Sequence, residues 1–276
     1  IILILSFVLL NLFLVSNIWN KAKPVNDFNL TQTQQEQIET LLKQKNVSLD
    51  VDIPHEGKPQ SFLEISLRPI DEEKTLERFF GENSQPILEY KNDSKNYILD
   101  EKQLIITQNG EITYFDNREG KKATSLTKEK AKKMAEEFLE SHGEVLEQAV
   151  LSNMTYDARS KGYLLEYTRY HEGFFIANSY AAILVTPSGV KMYHQCWMYP
   201  VSYIGRKRSV ISPLTAVMRV ATEIETQEPF VISDVEQGFY SKSYNADRIQ
   251  AAPVWKIGLD NGNIYYINAY TGEIEQ

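Results

Sequence analysis

APVWKIGLDNGNIYYINAYTGEIE, residues 252–275, sets how the rest of the chain is read. Two runs rich in β-branched and aromatic residues, 254–259 and 263–269, flank Asn261-Gly262. Asn-Gly in that position signals a β-hairpin, because both central residues of a type I′ turn need positive φ and these two residues accept it. Tyr266 stands four residues after the turn glycine and Gly272 ten after it. The same offsets recur upstream. Asn109-Gly110 joins KQLIIT (102–107) to EITYF (111–115), with Tyr114 and Gly120; Pro187-Ser188-Gly189 joins AAILV (181–185) to VKMYH (190–194), with Tyr193.

Each hairpin lies downstream of an amphipathic segment. Near Thr33 to Asn46, Thr33 and Glu36 have capping-box spacing and Ile38, Leu41 and Leu42 share a face. After Thr127, Ala131, Met134, Ala135, Phe138 and Leu139 follow helical spacing until Gly143. After Ser212-Pro213, Leu214, Val217, Met218, Ala221 and Ile224 do the same before Pro229. A shorter helix is expected from Asp71 to Phe80. The pattern predicts an α+β body of helix-plus-antiparallel-meander units, a degenerate repeat whose arrangement resembles PepSY-type modules. Two lobes are expected, 31–122 and 123–276, the second holding units at about 123–206 and 207–276. The boundary falls near Arg118 to Ser125, where the chain is polar and carries Gly120.

The opening of the chain is of another kind. Residues 1–19, IILILSFVLLNLFLVSNIW, carry no charge, and Asn20-Lys21-Ala22-Lys23-Pro24 ends the run. Nineteen helical residues span roughly 28 Å, the thickness of a bilayer's hydrocarbon core. The run exceeds the apolar core of a signal peptide, and Ser16 to Asn20 offers no small-x-small cleavage site. An uncleaved transmembrane anchor at 1–20, followed by a linker at 21–30, is expected. With Ile1 rather than Met at the start, a short further piece before the anchor is expected. Asn11 sits near its middle, where an amide facing lipid is unfavourable and a neighbouring helix can satisfy it; Ser6 is a weaker case. These two are the candidate partner contacts within the membrane.

Composition narrows the function classes. A net charge of −8, with Arg206-Lys207-Arg208 as the one tight basic cluster, argues against nucleic acid as a partner. Cys196 is the single cysteine, so no internal disulfide forms. It lies two residues from His194, but no third group orients the pair, and MYHQCWMY reads as a packed strand. Phe174, Phe175, Trp197, Tyr199 and Tyr203 are core candidates rather than an interface. His55, His142, His171 and His194 lack metal-ligand spacing, and no phosphate loop or nucleophile elbow is present. No catalytic residue, metal or cofactor is expected.

The anchor ILILSFVLLNLFLVSNIWNK (2–21) taken together with the closing stretch 252–275 resembles the YycI family. These proteins are found with YycH beside the WalK (YycG) histidine kinase of low-GC Gram-positive bacteria. The resemblance implies a short cytoplasmic N-terminus, a single-pass membrane helix and an extracytoplasmic, YycH-like body. It implies a non-enzymatic regulator that associates with a YycH-like partner and the kinase, partly through membrane helices, and restrains kinase activity in cell-wall homeostasis. A ligand- or peptide-binding sensor module and a PepSY-like inhibitor of a secreted enzyme are the alternatives.

Overall fold

The computed structural model describes residues 40–67, 69–118, 125–142, 148–224, 229–242 and 248–275. The anchor, the linker, Ser6 and Asn11 lie outside these residues, as do Thr33, Glu36 and Ile38. Among the described residues no helix is long and apolar enough to cross a membrane.

The first half of the chain forms β1 (Val47–Leu49), β2 (Gln60–Leu67), α1 (Glu72–Phe80), β3 (Ile87–Lys91), β4 (Ser94–Leu99), β5 (Lys102–Thr107) and β6 (Ile112–Asp116). The middle adds α2 (Lys128–His142), β7 (Ala149–Asp157), β8 (Gly162–His171), β9 (Phe174–Thr186), β10 (Gly189–Cys196) and β11 (Met198–Arg208). The end supplies α3 (Pro213–Glu223), β12 (Phe230–Tyr240), β13 (Arg248–Leu259) and β14 (Ile264–Asn268). This is an α+β fold in which sheet dominates. Its main path runs β11-β2-β13-β12-β9-β10-β6-β5-β4-β3, with β8 and β7 continuing from β9, β14 on β13 and β1 on β12. The β1–β12 and β12–β9 pairings are parallel and the others antiparallel.

Both Asn-Gly hairpins form, with a different turn from the one expected. Thr107 N–H donates to Glu111 O and Gly110 N–H to Thr107 O, each at 3.0 Å. Leu259, Gly262 and Asn263 repeat the pattern. Only the glycines, at φ 75° and 88°, are left-handed. These are three-residue loops, a type I turn closed by a glycine bulge, and they need one positive φ rather than two. Positive φ at both central residues occurs instead at Glu172-Gly173, between β8 and β9 (51° and 84°).

The helices follow their amphipathic patterns with small rotations. Ala131, Ala135 and Phe138 bury the α2 stripe against β8, β9 and β10. In α3 the buried stripe is Ala216, Val217, Val220 and Ala221, while Met218 and Ile224 lie at its margin. Small side chains at the centre let the helix approach β12, β13 and β14 closely, so the axis turns away from the larger residues. Of the first expected helix, residues 40–44 are helical; Leu42 is buried but Leu41 is 47% exposed.

Buried side chains gather in three clusters. The first joins Phe79, Tyr97, Leu104 and Tyr114 to Phe138, Leu165, Ile183 and Tyr193, and so draws on both sides of the boundary expected at residue 122. The second packs Leu42 and Val47 with α3, Trp255, Ile257 and Ile267. The third lies between β2, β9, β12 and β13 around Leu63, Ile65, Ile176 and Phe239. Tyr114 and Tyr193 are direct cross-strand partners, and both rings pack against Phe138. Tyr266 faces away from α3 and stacks on Tyr240 at 4.5 Å. The tyrosine spacing therefore does not mark one structural position.

Candidate binding cleft

The first cluster has an opening at one end, and local rules explain each of its walls. α1 begins where the Asp71 carboxylate accepts from Lys74 N–H at 3.3 Å. Glu72 and Glu73 occupy its first turn and Arg78 its last, as the helix dipole favours. Thr75 and Phe79, one turn apart, are buried, which leaves Arg78 exposed beside them. On β10, Tyr193 and Gln195 alternate onto the helix-bearing face, and Trp197 follows just past the strand. The end of α2 brings His142, whose ring stacks on Phe138 at 4.4 Å.

Together with Pro69, Ile70, Gly110, Ile112 and Tyr199 these residues line a narrow, partly open cleft with room for little more than a water molecule. The floor is apolar and the polar groups are chiefly donors. Tyr193 OH donates to Gln195 Oε1. Gln195 itself is 6% exposed. In the same wall Trp197, 2% exposed, has an indole N–H with no hydrogen bond among the described residues. Behind it the buried Arg169 guanidinium lies 5.5 Å from the Trp197 ring and 4.4 Å from that of Tyr199. Burial, followed by the charge of Lys102, holds the His142 imidazole below its ordinary range. The Lys102 ammonium itself donates to Phe79 O at 3.1 Å. Among the described residues no Asp or Glu lines the cleft.

Gln195 and Arg78 were not singled out by the sequence. The available signal was an amide at an inward position of a strand whose inward neighbours, Tyr193 and Trp197, are aromatic. The residues that were weighed have other roles. Cys196 is buried in the third cluster, and burial pushes its thiol up to about 12. His194 contacts Thr113 Oγ1 at 2.9 Å and Tyr180 OH at 3.2 Å rather than the thiol. Phe174, Phe175 and Trp197 are buried; Tyr199 and Tyr203 are half-buried. On the opposite side of the C-terminal strands Lys256 bonds Glu236 at 2.8 Å and Asp234 at 2.9 Å. Burial opposes its charge, but the two carboxylates outweigh that and raise its pKa, so this group is internally satisfied.

The YycI protein family matches residues 25–270. The chain belongs to the YycI family. For a YycI protein the coarse function is regulation of the WalK/YycG two-component system in cell-wall signalling. No curated protein matches the sequence. Among solved structures, this YycI-family chain is similar to an uncharacterized protein from Eubacterium rectale ATCC 33656. The TM-score is 0.55 at 10% identity, over 84% of this chain and 91% of that one, a likeness that concerns the fold alone.

Proposed function

We propose that the protein is a non-enzymatic, single-pass membrane regulator with its body outside the cytoplasm. It associates with a YycH-like partner and the WalK/YycG kinase and restrains kinase activity. The family match over residues 25–270 is the observation that carries this reading. The uncharged run at 1–19 supports the anchor. A partner helix that binds one kinase state better than the other shifts their populations, and a tenfold change needs only about 1.4 kcal/mol of differential binding. An interhelical bond from Asn11 contributes on that scale, about 0.6 to 2 kcal/mol. Within the body, each helix laid on its meander is proposed as one PepSY-like module.

The test is a membrane pull-down of the full-length protein beside a form beginning at Asn26, with partners identified by mass spectrometry. Recovery of a sensor kinase and a YycH-like protein by the full-length form alone is the expected result. Asn11→Leu is expected to stay in the membrane and to recover several-fold less of both. Recovery of a secreted enzyme by the body alone would replace this reading with that of an inhibitor.

A further inference from the structure

We propose that the open edge of β3 pairs with the same edge of a second copy of this chain, antiparallel about Tyr90, so that Glu89 of each copy faces Lys91 of the other. All five residues of β3 are exposed, Ile87 at 68% and Tyr90 at 74%. The strand ends the main path of the sheet, and among the described residues nothing pairs with its outer side. Sheet edges usually carry a guard against such pairing. β7 has a bulge between Leu151 and Asn153, and β11 has Pro200 and two irregularities of register. β14 is overlaid by the residues that follow it, where Asn268 N–H donates to Glu273 O and Glu275 N–H to Tyr266 O. β1 is three residues long. β3 instead pairs with β4 without a bulge and shows Ile87, Leu88 and Tyr90 to solvent.

Hydrogen-bond geometry and charge together select what covers this edge. Lys91 and Ser94 close a two-residue loop, so Ile87, Glu89 and Lys91 direct their N–H and C=O groups to β4, while Leu88 and Tyr90 direct theirs outward. Two copies related by a two-fold axis meet with antiparallel edges, and only registers that bring these outward groups together form bonds. Centred on Leu88, the pairing sets Tyr90 against Pro86, which has no N–H to give. Centred on Glu89, it sets the two Glu89 carboxylates directly opposite each other, and like charges there oppose pairing. Centred on Tyr90, it sets the two phenol rings side by side and places Glu89 opposite Lys91 twice, at the closer, non-hydrogen-bonded positions. Within one copy Glu89 accepts from Asn96 Nδ2 at 3.2 Å, and neither Glu89 nor Lys91 forms an ion pair among the described residues. The ladder is short, so the association is weak in dilute solution and strengthens where copies share one membrane.

This inference goes beyond the regulatory reading, and its test contains no kinase. Tyr90→Cys is introduced into the full-length protein, which is purified, reconstituted in phosphatidylcholine vesicles, oxidised mildly and run on a non-reducing gel. Cys196 is buried and stays out of the reaction. A disulfide-linked dimer is expected, with little from Tyr156→Cys, whose position on the bulged edge of β7 is also exposed. Adding Glu89→Lys or Lys91→Glu to Tyr90→Cys is expected to cut the dimer yield about fivefold or more, and adding both to restore it. A urea midpoint equal to that of the parent shows that each exposed-site variant is folded. No dimer from Tyr90→Cys would leave the edge to a different protein and overturn the proposal. As much dimer from Tyr156→Cys, or a double reversal that fails to restore the yield, would overturn it as well.

Discussion

Gly238 on β12 shows how much one missing side chain can decide. The Phe175 ring lies directly over it, and a Cβ built there would meet ring carbons at 2.4 Å. Phe175 is 1% exposed and cannot move aside cheaply. Gly238→Ala is expected to cost about 1 to 3 kcal/mol, read as a lowered urea midpoint with an unchanged slope. A second effect at this scale concerns protons. Burial raises the Cys196 thiol from 9.0 to about 12, and the Tyr114 and Tyr167 hydroxyls from 10.0 to about 12. Each group is kept neutral by the fold, so its contribution is complete below pH 9 to 10 and is lost as pH rises toward 12. Urea midpoints should therefore fall steadily from pH 9 upward, and Cys196→Ala should delay the onset. A midpoint level up to pH 11 would contradict this. The candidate site was not read at this scale: Gln195 carried a signal, an amide among inward aromatics, that went unused, and an exposed helical arginine such as Arg78 is ordinary until packing places it at a cleft.

At the scale of elements, helix caps were the most legible signals. Ser212 accepts from Thr215 N–H at 3.1 Å, with Pro213 in the first helical position. Ser212→Ala is expected to destabilise α3 by about 1 kcal/mol, measured by chemical denaturation, with the Gly variant costing less. Thr127 begins α2 in the same manner, its hydroxyl accepting from Lys130 N–H at 3.3 Å. Turn type was less legible, because loop length depends on where the two strands pair rather than on the Asn-Gly dipeptide between them. The face of Tyr266 was misleading for a related reason. Strand side chains alternate, so a fixed count from a glycine gives a face only when the loops and bulges in between are equal. β10 carries such a bulge between Val190 and Met192.

For the whole molecule, the first core couples stretches distant in the chain. Phe138 from α2 touches Phe79, Tyr114 and Tyr193, which belong to α1, β6 and β10. Phe138→Ala is expected to cost about 3 to 5 kcal/mol. Hydrogen exchange should then show β4 to β6 and β8 to β10 losing protection together, while the strands under α3 retain more of theirs. Loss confined to one side of residue 122 would indicate that the halves unfold independently. The α+β class and the helix–strand sequence could be read from periodicity. The course of the sheet could not, since β6 beside β10 and β2 between β11 and β13 are long-range pairings that leave no local mark.

The place of β2 bears on how the molecule is made. Gln60–Leu67 emerges from the ribosome early, yet its partners are Met198–Arg208 and Arg248–Leu259, translated more than a hundred residues later. β1 likewise waits for Phe230–Tyr240. At about 5 to 20 residues per second these two strands remain without neighbours for roughly six seconds or more of synthesis. The nascent chain thus carries an early, sticky segment that only its final third can cover, and a ribosome that stalls near residue 200 releases a protein poised to aggregate.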